Sequence, residues 1–380
     1  MRFRMQSLLT LSIALLAGCA GGGNDSATTP PGGSGKVGHV FIIVLENKGY
    51  DETFGANSPA PYLSQTLPTQ GQLLTHYYGI GHESLDNYIA MVSGQAPNAI
   101  TQADCIAYLD WIGVPAALIN GQVLGEGCVY PAIVKTVANQ LQDASLSWKG
   151  YMEDMGNDTS REPATCGHPP LNSQDPTQSA KVGDQYAARH DPFVYFHAII
   201  DDQANCDAHV VPLTALAADL QFIQTTPNYV FITPNLCNDG HDAPCVDMAP
   251  GGLKSADQFL QTWVPQIVAS AAYQRDGLLI ITFDEAEGDP RDPTHLDASA
   301  CCGELPGPSS PLPGIIGLGG GRTGAVLLSP FIKAGSVNDT PYNHYALLKS
   351  VEDIFGLDHL GYAGQSGLQG FGPDVFNAAK

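Results

Sequence analysis

The sequence predicts an α/β domain in which a mostly parallel sheet carries helices on both faces. Three observations point there. Short, continuous apolar runs recur along the chain, as strands buried on both faces require. Stretches with the apolar spacing of helices lie between them. Two of the runs end in polar pairs, Glu46-Asn47 and Asp284-Glu285, at the strand ends where open α/β sheets place their sites.

Taken in order, residues 40–45 read as a buried parallel strand rich in β-branched residues. Residues 84–92 open a helix with Ser and Asp in its first turn and apolar Leu85, Tyr88, Ile89 and Val92 on one side. A second helix is expected over 133–141, and strands over 193–200 and 228–233. An amphipathic helix over 256–272 leads through Asp276-Gly277 into a buried strand at 278–283. A strand at 325–328 and a helix at 345–354 complete the pattern, with no internal repeat. The stretch 95–180 has weak periodicity and reads as a cap-like insertion in a single domain spanning 37–380. Residues 286–322, rich in Gly and Pro, read largely as loop.

The N-terminus carries an address. Arg2 and Arg4 precede an apolar run at 8–16, too short to span a bilayer, which ends in Leu16-Ala17-Gly18-Cys19. That ending resembles a bacterial lipobox, so 1–18 is expected to be a signal peptide and Cys19 the lipidation site. Residues 19–36, almost all Gly, Ser, Thr and Pro, cannot bury enough apolar surface to fold and read as a tether. The expectation is a cell-envelope lipoprotein in the periplasm or outer membrane, touching the membrane only through its lipid; Ala20 favours outer-membrane sorting.

Charged residues make up 14% of the 380, against about 25% in an average soluble protein. The net charge of −22 repels nucleic acid and anionic membranes, and any phosphate site must be made locally positive. Eight cysteines follow Cys19, an even number that in an exported chain predicts disulfides. Cys237–Cys245 and Cys105–Cys128 are the local pairs the spacing suggests. The adjacent Cys301 and Cys302 have no assignable partners, and without a C-x-x-C pair zinc ligation is disfavoured.

Two carboxylate-bearing strand ends at one sheet edge make an oxygen-rich site for a hard divalent cation. Ser84, at a helix start, would meet backbone N–H donors and the positive helix end, which suits a phosphoryl group. A cation on its oxygen would activate it. Alone, Ser84 reads as an ordinary N-cap. Asn238-Asp239-Gly240-His241-Asp242 packs carboxylates and an imidazole into one turn, fit for a further metal shell, phosphate contacts or a plain Asx-turn. His344 precedes the C-terminal helix.

Six segments in collinear order resemble the bacterial and fungal phosphoesterase family of acid phosphatases and phospholipases C. They begin with His39-Val40-Phe41-Ile42-Ile43-Val44-Leu45-Glu46-Asn47. His82-Glu83-Ser84-Leu85-Asp86-Asn87-Tyr88 is similar to the phosphatase branch's H-P-S-L-P-N-Y, with acids where that motif has prolines. His190-Asp191-Pro192-Phe193, the run from Thr233-Pro234-Asn235 to Asp242, Thr282-Phe283-Asp284-Glu285, and His344-Tyr345 onward to Phe355 follow.

This resemblance implies an alkaline-phosphatase-like fold and a phosphoserine intermediate at Ser84. It implies a divalent cation (Ca, Mg, Mn, Zn or Fe) held by Glu46, Asn47, Ser84, Asp284 and Glu285. His241, His344 and His190 would touch phosphate or move protons, and Asn87, His82 and Asp242 would meet the substrate. The expected activity is that of an acid phosphatase on phosphomonoesters, phosphoinositide monophosphates among them. The competing readings are a phospholipase C-type phosphodiesterase, disfavoured by the Ser-Leu-x-Asn-Tyr segment, and a non-catalytic surface lipoprotein on the same fold.

Overall fold

The computed structural model describes residues 37–288 and 296–377, the side chains at 115–117 excepted. The expected signal peptide, Cys19 and the tether lie outside the described residues.

An eight-stranded sheet forms the centre. In chain order its strands are β1 (His39–Leu45), β2 (Gln72–Leu74), β3 (Trp148–Met152), β4 (Val210–Pro212), β5 (Tyr229–Thr233), β6 (Gly277–Phe283), β7 (Ala325–Leu328) and β8 (Ser336–Asn338). Across the sheet they run β8-β2-β7-β6-β1-β5-β3-β4. Only β7 opposes the rest: it pairs antiparallel with both β6 and β2, while every other pairing is parallel. A mostly parallel sheet covered on both faces is thus present.

The pleat explains the continuous apolar runs. Val40, Ile42 and Val44 of β1 point into one core with Leu278, Ile280 and Phe231. Phe41, Ile43 and Leu45 point into the other with Leu279, Ile281 and Ile232. Three helices, α1 (Ser84–Ser93), α2 (Val137–Asp143) and α4 (His344–Phe355), pack on the first core, and α3 (Gly252–Ala269) on the second. Full burial of one such Ile or Phe stabilises the fold by about 1.5–3 kcal/mol.

Several expectations are corrected. Residues 193–200 form a 3₁₀ turn, Pro192–Tyr195, and a short helix, His197–Ile200, not a strand. Asp191 caps this turn by accepting from the Phe193 N–H at 3.2 Å, and Pro192 presets its φ. A short apolar run does not by itself separate strand from buried helix. The stretch 95–180 is no simple insertion, because β3 lies within it between β5 and β4. A hairpin, Ile112–Ile119 with Gln122–Glu126, also falls in this stretch. The helix expected over 256–272 starts at Gly252 and breaks at Ser270, whose hydroxyl caps a second short helix, Ala271–Asp276.

The described residues contain four disulfides. Cys105–Cys128 and Cys237–Cys245 are the expected pairs; Cys166–Cys206 joins them, and Cys301 bonds to its neighbour Cys302. No described helix is long and apolar enough to cross a membrane.

Helix α1 ends at Gly94, which takes the left-handed φ of +66° of a helix C-cap. Its carbonyl accepts from the Tyr362 N–H at 2.8 Å, and a Cβ there would stand 2.3 Å from the Leu360 carbonyl oxygen. Gly94→Ala therefore carries both left-handed strain and a backbone clash. The expected loss is roughly 2–4 kcal/mol, read as a lowered midpoint in thermal or denaturant unfolding.

Candidate active site

Register brings the polar strand ends together. β1 pairs with β6 so that Leu45 faces Phe283, leaving Glu46 and Asp284 level at the next step. The Asp284 N–H donates to the Leu45 carbonyl at 2.9 Å, and the Glu46 N–H to the Asp239 carbonyl at 2.8 Å. Glu46 and Asp284, directly after β1 and β6, and Asp239, in the loop after the neighbouring β5, are all fully buried.

Ser84 is the first residue of α1. Its hydroxyl donates to Glu46 Oε2 at 2.7 Å. Tyr88, one turn later on the same helix face, donates its hydroxyl to Glu46 Oε1. Helix and strand end are thereby fixed to each other through one carboxylate. The ring of His190 stacks on Tyr88, centroids 5.4 Å apart. Its Nε2 lies 3.4 Å from Glu46 Oε2 and its Nδ1 3.9 Å from Asp239 Oδ2. Ser84, Glu46, Asp284 and His190 thus converge, with Tyr88 and Asp239 added.

Other expected site residues support this centre. Asn87 accepts from the Ile80 N–H at 2.7 Å and the Gly81 N–H at 3.2 Å, and donates to the Gly81 and Glu83 carbonyls. These bonds staple the loop before α1 and leave the side chain nothing for a substrate. His82 is also spent: Nδ1 bonds Glu285 and Nε2 meets the Asp297 carbonyl at 2.9 Å. Glu285 accepts from His82 on one oxygen, and on the other from Asn47 Nδ2 at 3.0 Å and the Glu83 N–H at 3.1 Å. It therefore orients Asn47. His344 meets Tyr77 Oη at 3.0 Å through Nδ1 and the Asp284 carbonyl at 2.5 Å through Nε2, which holds the end of β6. His241 is exposed at the rim, its N–H donating to Asp239 Oδ1 at 2.9 Å. The Asp242 carbonyl accepts from the first N–H of α3 at 2.7 Å.

The donor set fits a divalent cation. Asn47 Oδ1, Asp284 Oδ2 and Asp239 Oδ2 are buried oxygens without a hydrogen-bond partner among the described residues, and such orphans cost free energy unless something meets them. Asn47 also sits at a left-handed φ of +54°, a conformation retained where function needs a side chain aimed. Without a cation the cluster is electrostatically crowded. Burial, then Asp284 and Asp239, pushes the Glu46 carboxyl well above the usual range. Burial raises Asp284 to about 6 and lifts Asp239 strongly. Burial holds the His190 imidazole well below its usual value, hence neutral, with one N–H and one lone pair. The close group Cys237, Cys245 and Asp247 is different, because its sulfurs are joined in a disulfide.

Sequence reasoning missed Tyr88, Tyr77 and the pair Arg189–Asp104 as parts of the site. Tyr88 had a usable signal, its i+4 spacing from Ser84. Asp104 and Arg189 had none, since the contact between them spans two loops.

Residues 57–358 match the family model described as "Phosphoesterase family". The chain is similar to a "Probable acid phosphatase" of Kluyveromyces lactis, 26% identical over 84% of this chain and 59% of that one. It is 24% identical to an "Acid phosphatase" of Aspergillus fumigatus over 84% of this chain and 55% of the relative. A "Phosphatidylinositol-3-phosphatase" of Mycobacterium tuberculosis is 23% identical, over 86% and 79%. The chain thus spans little more than half the length of the fungal relatives. Among solved structures, a protein in the alkaline phosphatase superfamily from Vibrio parahaemolyticus aligns with a TM-score of 0.48 at 13% identity, over 87% of this chain and 69% of that one. That likeness is too loose to bear on activity.

Proposed function

The chain belongs to the phosphoesterase family, and from that premise we propose that it hydrolyses phosphate monoesters with Ser84 as nucleophile. The carrying observation is the 2.7 Å hydrogen bond from Ser84 to Glu46, made at a helix start beside the unpartnered oxygens of Asn47 and Asp284. A divalent cation held by Glu46, Asn47 and Asp284 would acidify the Ser84 hydroxyl and offset phosphoryl charge.

The chain's own residues do the rest. Glu46 directs the Ser84 oxygen, Tyr88 fixes Glu46, and Asn87 fixes the turn from which Ser84 projects. Ser84 Oγ forms the new bond to phosphorus, the ester P–O bond breaks, and the alcohol leaves with a proton. Water then cleaves the phosphoserine, releasing phosphate and restoring the hydroxyl. Neutral His190, 3.4 Å from Glu46, can carry a proton in either half. His82, His344 and Glu285 serve as supports, and His241 stands exposed beside Asp239.

A phosphoinositide monophosphate belongs among the test substrates, since the mycobacterial relative named for that activity matches over 79% of its length. Four disulfides among the described residues support an oxidising compartment, and so an exported protein. Lipid anchoring at Cys19 is part of the same proposal.

The domain from residue 35 onward should cleave a chromogenic aryl phosphate monoester far faster than the matching diester, and a chelator should abolish the reaction. Preferential diester cleavage would move the protein to the phospholipase branch. Silence on both esters with a cation bound would sink the hydrolase reading.

A further inference from the structure

Arg189 is a buried cation inside an acidic site, and the steps above do not use it. It stands in the same 3₁₀ turn, Ala188–His190, that delivers His190 to Glu46, so its charge feels Asp104, Glu46 and Asp239. Its Nε lies 3.4 Å from Asp104 Oδ2, with the two side chains only 11% and 15% exposed. Asp104 in turn accepts the Leu85 N–H at 2.9 Å, in the first turn of α1. Through this carboxylate the guanidinium is anchored to the turn that presents the nucleophile.

Arg161 shows what a buried arginine looks like when its role is architectural. Its guanidinium makes five hydrogen bonds, to the Pro176, Ser179 and Asp184 carbonyls and the Asp184 carboxylate. Arg189, with the same five N–H groups, makes one, from Nη1 to the Gln178 carbonyl at 3.1 Å. A guanidinium taken out of water with most of its donors uncommitted is costly unless a ligand completes it. None of its nitrogens is among the buried polar atoms without a partner, and its side chain keeps 11% of its surface exposed. The planar fork matches phosphate oxygens, two at a time.

We propose that Arg189 is a substrate-binding residue, gripping the phosphoryl oxygens turned away from Glu46 and Asp284 and thereby favouring dianionic monoesters over monoanionic diesters. The inference rests on the phosphomonoesterase reading and deepens it. It also answers the charge problem of a chain at −22, which has to offer a local positive site to an anion.

The test uses the cation-loaded protein with Arg189→Gln and Arg189→Lys. Inorganic phosphate is the probe for binding by calorimetry, and aryl phosphate monoester and diester are the probes for turnover. Arg189→Gln is expected to lower monoester kcat/KM by roughly 10²–10³-fold and to weaken phosphate binding by about tenfold or more, with diester kcat/KM changed only a few-fold. Lysine keeps the charge without the fork and is expected to recover part of the loss. Equal falls on both esters with phosphate affinity intact would overturn the proposal and leave Arg189 as a brace for Asp104. Should the glutamine variant not fold, the lysine variant decides: unchanged phosphate affinity overturns the inference. Phosphate binding thus judges Arg189, whereas turnover by the unaltered protein judges the hydrolase reading.

Discussion

Ser84→Ala is expected to lower monoester turnover on the order of 10⁴–10⁶-fold while leaving melting temperature and bound metal close to those of the unaltered protein. The size follows from the role: among the described residues only Ser84 holds a hydroxyl against Glu46 at a helix start, and the other hydroxyl on that carboxylate, Tyr88, is kept protonated by burial. Structural tolerance follows from how the turn is built. Asn87 ties residues 80–83 with four hydrogen bonds and Asp104 caps the backbone of the first helical turn. The Ser84 hydroxyl adds one bond, and after its loss Glu46 still accepts from Tyr88. Steady-state kinetics, metal analysis and a melting curve on the same preparation suffice. Activity within tenfold of normal would place the nucleophile elsewhere, and loss of the metal would make Ser84 chiefly a ligand or a brace.

Parts of this arrangement are legible in the sequence because burial leaves a strong imprint on strands. β1 is apolar at every internal position and β6 at all but Thr282, and a polar pair directly after such a run has few destinations but the sheet's edge. Short strands leave no such imprint. β2, β4 and β8 are three residues each, and β3 mixes Lys149 and Gly150 into its apolar positions, so no period emerges. The division of labour among polar residues was likewise hidden. His82, Asn87, Glu285 and His344 have the chemistry of site residues, yet each spends its donors and acceptors on neighbours, Asn87 within the loop before its own helix and the other three far along the chain. Residue type announces that a polar group is held near the edge. Only partner geometry separates the groups left open, Glu46, Asn47, Asp284, Asp239, His190 and Arg189, from those that hold them.

The open carboxylates also govern how the metal-free protein responds to pH. Burial raises Asp284 to about 6 from its ordinary 3.8 and pushes Glu46 and Asp239 in the same direction. A carboxyl whose pKa is raised by folding binds its proton more tightly in the folded chain than in the unfolded one. Its contribution to stability is complete below about pH 4 and is lost as pH rises through 6. For Asp284 alone the loss at full ionisation is roughly 3 kcal/mol, enough to move the melting temperature by several degrees. The chelated protein is therefore expected to melt lower at pH 8 than at pH 5. A divalent cation has the opposite dependence, because its ligands must be deprotonated, so the stabilisation gained on adding one should grow over the same interval. Glu46→Gln separates the two effects. With one charge fewer the chelated variant should melt higher than the chelated parent at pH 8, and its response to added cation should largely vanish. Scanning calorimetry at pH 5 and pH 8, with chelator and with excess Mg²⁺, Mn²⁺ or Ca²⁺, reads all of these at once. A chelated melting temperature that stays level or rises with pH would mean that the three carboxylates do not carry their mutual repulsion into the folded state, and the case for a cation between them would fall with it.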